Sequence, residues 1–142
     1  MIDIVRDTPL ALALIEDQTE AICRVAVSVN GFAIVFVKHQ TWVICMTAIK
    51  NNPHTIQFVI DQTRDLCFQA IKDDWRTLKH IKNQTYEICK SALRGRMFIE
   101  SHEIVRMIRD KAMRNHVAHM YDQHRSIKIS PLLARLDDEI DR

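Results

Sequence analysis

The dipeptide Gln-Thr occurs at residues 18–19, 40–41, 62–63 and 84–85, a spacing of 22 residues each time. Cys23, Cys45, Cys67 and Cys89 follow at the same interval, as do Ala26, Ala48, Ala70 and Ala92. Apolar columns keep step: Leu12/Ile34/Ile56/Leu78, Ile15/Val37/Val59/Ile81, Ile22/Ile44/Leu66/Ile88 and Val27/Ile49/Ile71/Leu93. A chain repeated at so short a period cannot bury its apolar faces unit by unit. It must stack one unit on the next and share the core between neighbours.

Each unit reads as two short helices. The first half carries apolar residues at i, i+1 and i+4, as in Ala33, Ile34 and Val37. The second carries them at i, i+1, i+4 and i+5, as in Ile44, Cys45, Ala48 and Ile49. Both patterns cover one face of a helix and lack the alternation of a strand. Gln-Thr lies between the halves, where Thr or the preceding Asp or Asn caps the second helix, and Asp17-Gln-Thr-Glu20 has the form of a capping box. Asn30-Gly31 and Asn52-Pro53 mark the turns between units. With 2 glycines and 3 prolines in 142 residues, an all-β fold lacks its turn residues, and neither a P-loop nor a dinucleotide-binding Gly motif can be assembled. The expected fold is all-α, an α-solenoid of short antiparallel helix pairs with a C-terminal cap helix.

The expected organisation is an N-terminal half-repeat over 1–9, four repeats over 10–97, a degenerate fifth repeat and cap helix over 98–120, and a tail with a short helix over 121–142. Ile2, Ile4 and Val5 read as the end of the half-repeat. Ser101–Ile108 matches Thr85–Ala92, which predicts that it forms the second helix of the fifth copy, running on through Met120. Tyr121–Ser130 reads as a loop, and Pro131 opens a helix bearing Leu132, Leu133, Leu136 and Ile140.

Residues 33–53 and 77–93, with the copies at 11–31 and 55–74, follow A-L-x-x-V-x-N-Q-T-x-E-I-C-x-x-A-I-K-x-N-P. This pattern resembles the short helical repeats of proteins from large DNA viruses of amoebae, a repeat domain of unknown function, over about 88 of the 142 residues. The resemblance implies a helical-repeat fold and a viral product in the host cytoplasm or the virion, and it supplies no activity. Residues 98–142 depart from the pattern.

Charge is uneven: the net formal charge is −2 over residues 1–71, +6 over 72–128 and −2 over 129–142. The longest uncharged run, Val25–Val37, is shorter than the roughly 18–20 residues a membrane helix needs. The N-terminal residues lack a signal-peptide pattern, so the expectation is an intracellular, soluble protein in a reducing compartment with no membrane partner. Cysteines in register on stacked helices lie roughly 8–10 Å apart. That is too far for a shared zinc, whose thiolate ligands crowd within about 4 Å of one another, or for a disulfide. They read as buried apolar residues. The Gln-Thr columns read as satisfying helix ends and neighbouring loop carbonyls.

No catalytic pattern emerges: His102-Glu103 is followed by Arg106 where a zinc-protease helix needs histidine, and His116, His119 and His124 read as a polar face rather than a metal site. No catalytic residue, metal or cofactor is expected. The variable positions are more informative, because in repeat proteins they cover exposed faces. Val35, Trp42, Val43, Met46 and Phe68 make the second and third copies unusually apolar and are the candidate partner-binding residues. Lys82, Lys90, Arg94, Arg96, Arg106 and Arg109 are the candidate anion or nucleic-acid contacts. The expected function is a non-enzymatic scaffold that binds a protein partner, either itself or another virion protein. A component of a virion or capsid layer is the alternative. Nucleic acid bound through the basic C-terminal half comes third and is not the expected partner.

Overall fold

The fold is all-helical in a computed structural model, which describes residues 1–123, 125 and 127–140, without the side chains of residues 98, 99, 136, 137, 139 and 140. His124, Leu136 and Ile140, singled out in the sequence, therefore lie outside the described residues or side chains. The α-helices are α1 (Ile2–Asp7), α2 (Glu20–Val29), α3 (Trp42–Asn51), α4 (Arg64–Asp73), α5 (Tyr86–Leu93), α6 (Phe98–Met107), α7 (Lys111–Asp122) and α8 (Ser130–Ile140). Between the early ones lie 3₁₀ helices at Pro9–Leu14, Gly31–Phe36, Pro53–Phe58 and Trp75–His80. The chain forms two compact units, Met1–Lys82 and Asn83–Arg142.

The first half of each repeat is thus a 3₁₀ helix, not the α-helix its sequence pattern predicted. The reason is visible in the columns at positions 9/31/53/75, 12/34/56/78 and 15/37/59/81. These are spaced i, i+3, i+6, and in a 3₁₀ helix such residues eclipse one another along a single edge. Gly31, Ile34 and Val37 are all buried, as are Trp75, Leu78 and Ile81. Thr55 and Thr77, also fully buried, satisfy their hydroxyls on the carbonyls of Asn52 and Asp74 at 2.8 and 2.7 Å.

One extended residue makes each turn between units. Asn30 donates its backbone N–H to the Ala26 carbonyl, ending α2, while its side-chain oxygen accepts from the Phe32 amide, opening the 3₁₀ helix. Asn52 and Asp74 do the same in the next two copies. The α-helices are opened by Thr19, Thr41 and Thr85, whose hydroxyls accept from the amides of Ile22, Ile44 and Ile88. The cap of α2 is therefore Thr19, and the capping box read from Asp17 and Glu20 is not formed. Gly31 is required by a close approach: a Cβ there would lie 2.7 Å from the Ala48 carbonyl oxygen. Its amide instead donates to Asn51 Oδ1 at 2.7 Å.

In the first unit, α1 packs on α2, α2 on α3 and α3 on α4, and each 3₁₀ helix packs on the next. The conserved-length link between copies is a glutamine. Gln18 Nε2 donates to the carbonyls of Leu12 and Phe36 at 3.0 and 2.9 Å, and its Oε1 accepts from the Lys38 amide at 2.9 Å. Gln40 joins the Phe58 carbonyl and the Ile60 amide in the same way. Gln62 joins the Ile56 and His80 carbonyls and the Lys82 amide.

In the second unit the period breaks. Gly95, at φ 72°, turns the chain just beyond α5. Gln84 reaches the Met107 carbonyl and the Arg109 amide, so α6 stands where a 3₁₀ helix stands in the earlier copies. Ser101–Ile108 therefore belongs to the first half of the last copy, not to a second helix running through Met120. Ile108 is extended, and Asp110 caps a new helix by accepting from the Met113 amide at 2.6 Å. Within this unit α7 packs on α5, and α8 packs on α7. Asp122 receives the amides of Ile129 and Ser130 at 2.6 and 2.8 Å, which ties down the start of α8.

Gln62→Glu keeps the acceptor for the Lys82 amide but sets carboxylate oxygens against two carbonyls. Urea unfolding at neutral pH should report a loss of roughly 2–3 kcal/mol, the cost of two unmade hydrogen bonds and a misplaced charge. A Glu variant as stable as the wild type would mean the glutamine bridge does not hold the copies together.

Candidate functional site

Three surfaces emerge from this backbone. The first lies on the 3₁₀ helices of the first unit. Their outward positions form two columns, Leu10/Phe32/His54/Arg76 and Leu14/Phe36/Phe58/His80. Rings from adjacent copies meet edge to face: Phe32 on Phe58 with centroids 5.9 Å apart, and His54 on His80 at 5.6 Å. Leu10, Leu14, Phe32, Phe36 and Phe58 are all exposed, Leu14 at 86%. His54 Nε2 lies 3.1 Å from Asp74 Oδ2, so the ring column passes from apolar to polar as it crosses from the second copy to the fourth. Burial raises the Asp74 pKa, but the Arg76 amide, the His54 contact and the Arg76 guanidinium outweigh it and hold the carboxyl below its ordinary value. Burial, together with the charges of Lys79 and His54, pushes the His80 imidazole down.

The second surface surrounds Trp42, which opens α3 and is 51% exposed. Trp42 lines an open groove of about 330 Å³ with Lys38, Gln40, Cys45, Ile60 and Asp61, and Ile60 is exposed at 71%. Thr63, on the same groove, has a buried hydroxyl with no hydrogen-bond partner, because α4 is the one helix of the four copies whose threonine makes no side-chain cap. The other apolar candidates are dispersed. Val35 is exposed on its 3₁₀ helix, and Val43 is exposed beside Trp42. Met46 is partly buried against the core, while Phe68 is half-buried under the Arg64 guanidinium, 5.2 Å from its ring centroid.

The third surface belongs to the second unit. A groove of about 320 Å³ runs between α5 and α7, lined by Tyr86, Lys90, Leu93, Arg94, Val117, Met120 and Tyr121. Of the basic candidates, Lys90 and Arg94 come together here. Lys82 is committed elsewhere, its ammonium donating to the carbonyls of Val59 and Ile60 at 3.1 and 3.0 Å. Arg96 is half-buried with its Nε lacking a partner, Arg106 is exposed on α6, and the Arg109 backbone is held by Gln84.

The cysteines are all free and buried, and burial raises each thiol pKa, that of Cys89 to about 11. Cys23 and Cys45 point their thiols at Gln18 and Gln40 Oε1 at 3.8 Å. Of the histidine cluster, His116 packs its ring on Tyr86 at 5.3 Å, while His119 lines a separate cavity with Ser130 and Leu133. Among the described residues no three of His, Cys, Asp and Glu are placed to hold a metal ion, and no helix is long and apolar enough to cross a membrane.

The sequence reading missed the ring columns and the α5–α7 groove. The 22-residue columns at 10 and 14 carried a signal for the first: positions that vary among Leu, Phe, His and Arg while their neighbours stay fixed are surface positions. No signal foretold the second, since it depends on where α7 ends.

No family model matches this chain. No curated protein and no solved structure matches it either.

The ring column makes a pH prediction. His80 is held below its ordinary value of 6.5, so the unfolded chain binds more protons than the folded one as the pH falls through 6.5. The stability tied to neutral His80 is present above that value and declines below it. Asp74 adds nothing in this window, because it titrates below 3.8. His80→Phe, which restores the residue found at positions 36 and 58, should shrink the fall in melting temperature between about pH 7.5 and pH 5.5. Equal falls in the two proteins would overturn the assignment.

Proposed function

We propose that this chain is a non-enzymatic α-solenoid that binds another protein through the exposed apolar surface of its second and third copies, centred on Trp42. The observation that carries this reading is a half-exposed tryptophan on the rim of a preformed groove, with Ile60 and Val43 exposed close by in a rigid, repeated backbone. Large aromatic residues held on rigid elements are the usual anchors of protein interfaces, because they bury much apolar area at small entropic cost. Lys38, His39 and Asp61 supply a polar margin of mixed charge, which suits a protein surface better than a polyanion. Consecutive packing of like helices within the first unit, joined by the same glutamine in each copy, supports the solenoid description.

The 22-residue columns support placing the chain with the short-repeat proteins of large DNA viruses, acting in the host cytoplasm or within the virion. On that reading the partner is a viral or host protein, or a second copy of this chain. The buried, unpaired thiols suit a reducing compartment. The basic residues favour protein over nucleic acid: Lys82 is spent on carbonyls of its own unit, and Lys90 and Arg94 border an apolar groove rather than a continuous basic track.

Trp42→Glu tests the reading cleanly, because the first copy already has Glu20 at this position and a carboxylate in the first turn of α3 favours the helix dipole. The variant should keep the wild-type melting temperature within a few degrees while losing association by about tenfold or more, measured as solution mass by light scattering and as recovery of partners from cell extract. Undiminished association in a folded Trp42→Glu protein, and also in Ile60→Glu, would rule out this surface.

A further inference from the structure

We propose that the α5–α7 groove of the second unit is a small-molecule site for an apolar carboxylate, an acyl chain or aryl ring ending in a single anionic group. The site is independent of the Trp42 surface. Part of its wall comes from how the last copy ends. In the first three copies the residue eleven places beyond the helix cap is Asn30, Asn52 or Asp74, and it turns the chain out of the α-helix; in the fourth it is Arg96, and α5 already ends at Leu93. Eleven places beyond the Asp110 cap stands Tyr121, which has no such side chain, and α7 continues to Asp122. Asp122, the last residue of α7, receives the Ile129 and Ser130 amides instead. Met120, at the place of Val29, Asn51 and Asp73, and Tyr121, one residue beyond it, stand alongside α5 and wall the cleft.

The lining is that of a ligand site rather than a solvated crevice. Five of its seven residues are apolar or aromatic, and its volume of about 320 Å³ falls at the lower end of small-ligand sites, roughly 300–1,000 Å³. Leu93 and Val117 form a buried floor, and Tyr86 and Tyr121 complete the aromatic part of the lining. Its polar groups converge with one sign. Lys90 and Arg94 are exposed on the margin, and neither is paired with a carboxylate among the described residues. Lys90 Nζ stands 5.6 Å from the Tyr86 ring centroid, and the Arg125 guanidinium 4.4 Å from that of Tyr121. Glu87 is the nearest acid in sequence on α5 but does not line the groove. Tyr121 also carries a buried hydroxyl with no hydrogen-bond partner, a donor that the fold leaves unused. An apolar body over a Leu–Val floor, with its anion between Lys90 and Arg94, matches the whole set. A neutral apolar molecule would make no use of the two cations, and a polyphosphate would leave the floor without contacts.

The chain has only two tyrosines, and both line this groove. Tyrosine-selective NMR of the full chain therefore reads the site and nothing else. Octanoate should shift both ring signals saturably and bind about tenfold more tightly than 1-octanol, which has the same tail without the charge. Lys90→Ala/Arg94→Ala should weaken octanoate by about tenfold and erase the preference over octanol. Met120→Trp should fill the cleft and abolish the shifts for both. Since Lys90 and Arg94 are exposed, the double variant should melt like the wild type; if it does not fold, the two single variants carry the test. The proposal fails if octanoate produces no saturable shift, if octanol binds equally well, or if octanoate affinity survives loss of both cations.

Discussion

The side-chain amide of glutamine is the bond on which the repeat depends. An amide presents a donor and an acceptor at peptide spacing. When Gln18, Gln40 or Gln62 lays that group against the next copy, it meets a carbonyl and an N–H from residues two apart, the groups flanking Val37, Val59 and Ile81. Those groups lie just past the end of a 3₁₀ helix, where the backbone is extended and has no ladder to join. Left unpaired they would each cost the desolvation penalty of an unmade hydrogen bond. The glutamine therefore satisfies the next copy's exit and fixes its register at once, while the apolar column beneath it supplies the attraction.

The same logic explains why so few glycines and prolines suffice. Each turn is one extended Asn or Asp whose backbone closes one helix and whose side chain opens the next. Positive φ is needed at Gly95, where the chain leaves the pattern, whereas Gly31 is held by contact with Ala48 rather than by its torsion. A turn built from side chains keeps the connection short and the copies close.

The period, the buried cysteines and the helical class were all legible in the sequence, because they depend on residues that recur. The 3₁₀ character of the first half-repeat was present too, in the columns spaced three apart, but i, i+1, i+4 fits an α-helix equally well over six residues. What decides between them is the extended cap at both ends, a backbone property. The last copy departs from its sequence pattern for a different reason. Ser101–Ile108 resembles Thr85–Ala92 in apolar pattern, yet the alignment lacks a Gln-Thr pair, and Asp110 is a better helix cap than anything at the start of that match. The candidate surface was read from composition, which finds Trp42 but cannot see that Met46 turns inward or that Phe68 lies under Arg64.

Variation in this chain is confined to what the glutamine bridges and caps leave free. The position after the threonine cap runs Glu20, Trp42, Arg64, Tyr86, and the outer 3₁₀ column runs Leu14, Phe36, Phe58, His80. Each side chain can change without disturbing a hydrogen bond that holds its copy. Adjacent copies therefore present different chemistry on one backbone: phenylalanine rings between the second and third, and a histidine pair between the third and fourth, with His54 within hydrogen-bond distance of Asp74. Where the series ends, Tyr121 stands at the place of the turning asparagine, and α7 runs two residues longer than α2, α3 and α4. Substitution within the repeat changes what a surface carries, while the caps and glutamine bridges keep the backbone beneath it the same.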